Sequence, residues 1–141
     1  MGQVKTYDPA QTHLIVGGFL IGGYAPGTMI EVEMDEDAWA KTIGSTGEGV
    51  RVKTHNDGAQ IRCNLLQSSA SNDVLSGFAL ADKLSNSGAV PVELRDGSGR
   101  SLYFCETAWP MRMPTSGFGN EASNREWVLD TNELDVFVGG I

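Results

Sequence analysis

The sequence predicts a mainly β protein, an antiparallel β-sandwich or barrel with one α-helix. Several short runs alternate apolar and polar residues, as half-buried strands do, and glycine-containing turns separate them. A single segment, residues 72–85, instead repeats apolar side chains at helical spacing. The 141 residues suffice for one domain with a modest core, so we expect a single domain over residues 1–141.

Composition argues against several classes of protein. The chain has 20% charged and 40% hydrophobic residues, which is neither a disordered nor a membrane composition. No run approaches the roughly 18 apolar residues that cross a bilayer, so we predict no membrane association. The formal net charge of −8 argues against binding nucleic acid through phosphate neutralisation. Cys63 and Cys105 each stand in an apolar-alternating run, and we expect two buried free thiols.

The chain begins with an expected extended arm at residues 1–11 and a short strand at residues 12–16. Paired glycines then flank an apolar patch within residues 17–23, and such pairs indicate a turn or a close approach of two backbones. No Gly-Lys-Ser/Thr sequence follows, so this is not a phosphate-binding loop. The apolar patch consists of Phe19, Leu20 and Ile21.

The segment 47–67 predicts a β-hairpin. Two strand-like runs flank Asp57 and Gly58, the commonest signal for a two-residue turn. That turn would set Val52 opposite Cys63 on an apolar face. Because a slip of one residue would expose the whole apolar set, the pattern favours this register.

The other face of this predicted hairpin is basic and needs acidic neighbours. The register sets Lys53 opposite Arg62, and like charges in that position destabilise an isolated ribbon. Residues 28–35 supply acids, because they alternate three apolar with three acidic side chains. We expect this strand to lie near the basic face, within one subunit or across a subunit boundary, and a solvated strand face is the alternative. The charged residues of the two faces are Glu31, Glu33, Asp35, Arg51, Lys53 and Arg62.

The remaining segments continue the β pattern around one helix. Residues 36–48 contain Trp39 and form either a loop or a short strand. In the helix predicted over residues 72–85, Val74 and Phe78 should pack on a sheet. Further strands are predicted at residues 90–95, 101–107, 126–130 and 134–138, with a long loop at residues 108–124.

No catalytic or metal-binding pattern is present in the sequence. His13 and His55 have no metal ligand at a suitable spacing. The acidic run from Asp35 to Asp37 lacks the spacing of a calcium loop and is interpreted as a solvated turn. The serines near residue 69 resemble helix caps, and no Gly-x-Ser-x-Gly elbow exists. We therefore predict a protein that is not an enzyme and has no cofactor.

Three segments together resemble one known family. Residues 24–49, 58–75 and 126–130 are similar, in order and spacing, to the small tail tube proteins of contractile-tailed bacteriophages. The resemblance covers most of residues 24–130, whereas residues 17–23 and 108–124 have no counterpart in it. The residues that carry it are Gly27, Thr28, Ile30, Glu36, Asp37, Ile43, Gly44, Gly47, Glu48, Gln67, Ser69, Asn72 and Leu75.

The resemblance implies a structural subunit of a virion tail. Six copies would form a ring with sheets joined across subunits, and stacked rings would form a hollow tube. Genome DNA would pass through the tube during ejection without specific binding. Sheath, baseplate and tail terminator proteins would be the partners, and assembly would take place in the host bacterial cytoplasm. The alternatives are a monomeric β-sandwich binding module, a tail terminator, or the tube of a contractile bacteriocin.

This reading assigns two kinds of candidate site. The six charged residues of the predicted acidic and basic faces are candidates for the lumen or for contacts between subunits. The arm and the segments 36–48 and 108–124 are candidates for stacking contacts between rings. Within and beside these segments, the stacking candidates are Phe19, Leu20, Ile21, Trp39 and Phe118.

Overall fold

A computed structural model describes residues 2–141 of the chain. The mainly β class with one helix is confirmed, and all strand pairs are antiparallel. A 3₁₀ turn at Pro9–Gln11 comes first. The elements that follow are β1 (Thr12–Val16), β2 (Phe19–Leu20), β3 (Ile30–Met34), β4 (Trp39–Ile43), β5 (Gly49–Lys53), β6 (Ala59–Leu65), α1 (Ser71–Ser85), β7 (Val90–Asp96), β8 (Leu102–Pro110), β9 (Arg125–Thr131) and β10 (Asp135–Phe137).

Eight of the ten strands belong to two connected half-sheets that share the long strand β8. The strand order is β2-β1-β7-β8-β9-β6-β3, and β10 also pairs with β8. The start of β8 pairs with β7 and β10, whereas its end pairs with β9. Between these two parts the register shifts, because Val92 pairs with Cys105 but Val90 pairs with Ala108. Such a bulge bends a strand, so β8 can serve both half-sheets.

The core is formed where the inward faces of both half-sheets meet α1. Residues of β6 alternate between buried and half-buried, which is the pattern of a strand with one face in the core. Leu75 of α1 is completely buried, and Phe78 packs at the edge of the same cluster. Trp127 is buried too, and its Nε1 donates a hydrogen bond to Asn72 Oδ1 at 2.9 Å. The largest buried side chains are Trp127, Leu14, Ile61, Leu65, Leu75, Leu129, Val16 and Val92.

The paired glycines join the first hairpin to the helix, as the sequence indicates. Gly17 has φ +57°, and a Cβ there would lie 2.6 Å from Phe78 Cζ. Gly23 has φ +74°, and its Cβ would lie 2.6 Å from Ser69 Oγ. Ser69 Oγ donates to Gly22 O at 2.6 Å, and Gly22 N donates to Ser71 Oγ at 2.9 Å. These contacts fix the start of α1 against the segment after β2.

The predicted hairpin around Asp57 and Gly58 is wrong. β5 pairs with β4, a segment for which the sequence leaves a loop or a strand open, and β6 pairs with β3 and β9. Gly58 lacks the positive φ that a type I′ turn requires, and instead its N–H donates to Asn56 Oδ1 at 3.0 Å. The expected register of Val52 on Cys63 and Lys53 on Arg62 is therefore absent.

The other predicted elements agree more closely with the structure. The helix expected at residues 72–85 is found at Ser71–Ser85, and the strand expected at residues 12–16 is β1. The long loop expected at residues 108–124 begins only at residue 111, because β8 continues to Pro110. No helix in the described part of the chain is long and apolar enough to span a membrane.

Candidate lumen and assembly surfaces

The outward side of β3, β6 and β9 forms an acidic face. Strand alternation places its side chains opposite the core, and cross-strand register brings Glu31 to Arg62 and Glu126 to Asn64. Four carboxylates and one guanidinium leave this face with a formal charge of −3. The charged members of the acidic face are Glu31, Glu33, Arg62, Glu126 and Asp130.

Arg62 lies among these acids. It donates to Glu33 Oε2 at 2.7 Å and to Gln60 Oε1 at 2.9 Å. The hydrogen bond to Glu33, with the negative charges of Glu33, Glu31 and Glu126, raises the pKa of Arg62. Because Glu33 is exposed and Arg62 is only half-buried, solvent screens the ion pair, which adds only about 0–1 kcal/mol to stability. Its effect is to orient Arg62 along the face.

The β4–β5 hairpin is a separate two-stranded sheet whose strand residues are all exposed. Its register pairs Trp39 with Lys53 and Lys41 with Arg51, so these four side chains share one face, here called the basic face. Arg51 Cζ lies 3.8 Å from the centre of the Trp39 ring, a cation–π contact. The opposite face is formed by Ala40, Thr42, Val50 and Val52.

The predicted grouping of charges is therefore only partly assembled within one subunit. Glu31 and Glu33 do lie beside Arg62. Arg51 and Lys53 are on the detached hairpin, and neither forms an ion pair within residues 2–141. Asp35 lies in the exposed turn after β3, where its carboxylate approaches Gly58.

Four of the five stacking candidates are exposed. The exposed fractions are 54% for Phe19, 61% for Leu20, 48% for Trp39 and 83% for Phe118. Ile21 is only 3% exposed, so its assignment as a contact residue is wrong. Its backbone N–H donates to Leu14 O, which directs the side chain into the core cluster.

Sequence reasoning missed Arg125 and the two acids of β9. Arg125 is only 7% exposed and donates hydrogen bonds to the loop that precedes it. No motif marks such a residue. Glu126 and Asp130 could have been found, because they alternate with Trp127 and Leu129 in a strand-like run.

Both cysteines are free and buried, which confirms that prediction. Burial raises the pKa of the Cys63 thiol to about 12, with a further contribution from Glu126. Within residues 2–141 no group of three histidine, cysteine or acidic side chains is arranged to hold a metal ion.

The fold belongs to the class found in the tubes and tube ends of contractile injection systems. The sheath/tube terminator of the extracellular contractile injection system PVC, in its extended state, has a TM-score of 0.65 at 10% identity, covering 97% of this chain and 100% of that one. The tube-terminating cap of the anti-feeding prophage has a TM-score of 0.64 at 10% identity, covering 97% and 94%. The PVC sheath–tube complex gives 0.62 at 10% identity, covering 94% and 91%.

The family follows from sequence similarity. Residues 14–139 match the family described as bacteriophage PhiTE tail tube protein, and the chain belongs to that family. A relative, the structural protein ORF10 of Pseudomonas phage KPP10, is 31% identical over 147 residues, covering 99% of this chain and 85% of its own length. The protein is therefore a structural component of a phage tail, and the family resemblance identified from the sequence is confirmed.

Proposed function

We propose that the protein is the tail tube subunit itself, that six copies form a ring, and that stacked rings conduct DNA. The acidic face carries this proposal. This open sheet face has four carboxylates around one arginine, so it would repel the phosphates of DNA. Its arginine is paired with Glu33 and is not free to hold a phosphate, so DNA could slide along the face. The face would line the lumen, with residues 1–141 acting as one tail tube domain.

The β4–β5 hairpin supplies the contact between neighbouring copies in a ring. Strand β3 lies at the edge of the sheet, so one of its two sides has no partner strand. Along β3 the backbone N–H and C=O groups of successive residues point alternately to β6 and to the open side. Those of Ile30, Val32 and Met34 point to the open side. The edge also carries acids. Within residues 2–141, the cations on the basic face of the hairpin form no ion pair with an acid. In this arrangement Arg51 and Lys53 of one copy lie against Glu31 and Asp35 of the next.

This contact serves two purposes. It covers an exposed strand edge, which would otherwise promote nonspecific aggregation. It also neutralises the hairpin cations, so that they do not retain DNA. The carboxylates of β9 stay free to face the lumen, because β9 lies inside the sheet and not at its edge.

Negative-stain electron microscopy with size-exclusion chromatography and light scattering tests the proposal. Hollow tubes with sixfold end views are the expected result. A monomer at every concentration, also when tail baseplates are added as templates, would contradict it and favour a monomeric binding module.

A tube terminator is the second candidate, because two of the three structural neighbours above are terminating proteins. Single rings that never stack would support it. For the tail tube, sheath, baseplate and terminator proteins are the expected partners, after assembly in the host cytoplasm. The phage family and the phage relative favour a virion over a contractile bacteriocin, and antibody labelling along purified virion tails would test this.

A further inference from the structure

The loop at residues 111–124, here called the stacking loop, presents one prominent aromatic side chain. Phe118 is 83% exposed, the most exposed aromatic side chain in the described part of the chain. Its ring centre lies 5.3 Å from Arg125 Cζ, within the range of a cation–π contact. Large aromatic side chains held this way commonly form the centre of protein interfaces.

Arg125 holds the stacking loop in place. Its guanidinium donates to Ser123 Oγ at 2.6 Å, to Ser123 O at 3.1 Å and to Gly117 O at 3.4 Å. Ser123 Oγ in turn donates to Gly117 O at 2.8 Å, and Ser123 N donates to Gln67 Oε1 at 3.0 Å. The loop is thus fixed to β9 and to the segment before α1. A pre-ordered aromatic group loses less entropy on binding than a mobile one.

An exposed apolar patch lies on the face shared by β8 and β10. Cross-strand register places Phe137 directly opposite Leu102, with Phe104 two residues further along the same face. These side chains are 61%, 44% and 40% exposed. Grouped apolar side chains of this kind on a soluble subunit mark an interaction surface.

The stacking loop and the apolar patch lie at opposite ends of β8. The strand runs over nine residues, from Leu102 in the patch to Pro110 next to the loop. This corresponds to roughly 25–30 Å at the usual rise of a strand. A contact between two different surfaces of the same subunit is head-to-tail, and when it does not close it builds a filament.

The charges near the two surfaces are complementary. A cavity of about 230 Å³ beside the patch is lined by Phe104 and by three carboxylates. The stacking loop contributes Arg112, with Arg125 behind it, against a single carboxylate at Glu121. The three carboxylates beside the patch are Glu106, Glu133 and Asp135.

We propose that Phe118 of one copy docks on the Leu102, Phe104 and Phe137 patch of a second copy in the next ring. Arg125 is the positioning residue of this contact. The inference rests on the proposed stacking of rings and identifies which surfaces meet.

Disulfide trapping in assembled tubes tests the contact. The cysteines are placed beside the contact so that Phe118 and the patch stay intact: a Cβ at Gly119 meets no atom within 4 Å, and Val138 is 71% exposed. The double variant Gly119→Cys with Val138→Cys should give a ladder of covalent multimers on non-reducing gels after mild oxidation, and each single variant should give dimers at most. The native thiols add little background, because Cys63 and Cys105 are each 1% exposed. The matched control pairs Gly119→Cys with Leu84→Cys, since Leu84 is 84% exposed on α1 and is not part of the patch.

The outcomes separate this contact from the general function. Tubes that form but give no ladder with the Gly119 and Val138 pair, or a ladder with the Leu84 pair instead, would overturn the proposed contact and leave the tube function intact. Failure of the wild-type protein to form tubes would count against the function. Phe118→Ala should lower tube yield by roughly tenfold or more, as loss of an aromatic interface anchor does, with rings still present.

Discussion

Replacing Gly23 by alanine should test the junction between the first hairpin and α1. The residue has φ +74°, a conformation that costs an L-residue about 1–2 kcal/mol. The added Cβ would also lie 2.6 Å from Ser69 Oγ and 2.7 Å from Ser69 Cβ. Ser69 would have to move, and its hydrogen bond to Gly22 O, worth about 1 kcal/mol, would be lost. We expect Gly23→Ala to lower the free energy of unfolding by about 2–3 kcal/mol, the sum of these two effects.

Gly18 provides a matched control. It also has positive φ, at +86°, but a Cβ there would meet no atom within 4 Å. Gly18→Ala should therefore cost only the backbone part, about 1–2 kcal/mol. Urea unfolding of the unassembled protein at low concentration, followed by tryptophan fluorescence, measures both values. Equal losses for the two variants would refute the role assigned to Ser69, and a Ser69→Gly second change should restore part of the Gly23→Ala loss.

Three further outcomes follow from other parts of the molecule. Lys53→Glu should leave the free energy of unfolding within about 0.5 kcal/mol, because the side chain is exposed, yet reduce tube yield; normal tubes would argue against the hairpin contact. Leu75→Ala should cost about 2–5 kcal/mol in urea unfolding, because Leu75 is fully buried; a loss below 1 kcal/mol would contradict its place in the core. The free energy of unfolding should fall as pH rises above about 9, because the pKa of the Cys63 thiol is 9.0 in the unfolded chain but about 12 in the folded protein. Cys63→Ala should make the free energy of unfolding depend less on pH between about pH 8 and 10.5.

Residue periodicity was sufficient to predict the elements with one clear face. The acidic alternation gave β3, and the helical spacing of Val74, Leu75 and Phe78 gave α1, because burial of one face imposes each pattern. Periodicity does not specify which strands pair. The Asp57 and Gly58 turn signal therefore predicts that β6 pairs with β5, although tertiary packing places β6 between β3 and β9.

The candidate surfaces were predictable where one alternating strand defines a face, and not where distant strands meet. Glu31, Glu33 and Arg62 come from strands that alternate clearly, and they do form one face. Glu126 belongs to a strand more than sixty positions further along the chain than Arg62, and only the sheet order brings the two together. Arg125 holds the stacking loop through hydrogen bonds to backbone carbonyls, for which a sequence carries no pattern.

The isolated β4–β5 hairpin has a consequence for the kinetics of polymerisation. Two-stranded ribbons without other support are only marginally stable in water, so we expect this element to become fully ordered when a neighbour holds it. When two free subunits first meet, ordering the hairpin costs conformational entropy that few contacts offset. A subunit that adds to an existing ring end forms more contacts, which offset the same cost. We expect growth with a lag phase that preformed ends abolish, so that subunits stay dispersed until a template starts the tube at the correct place.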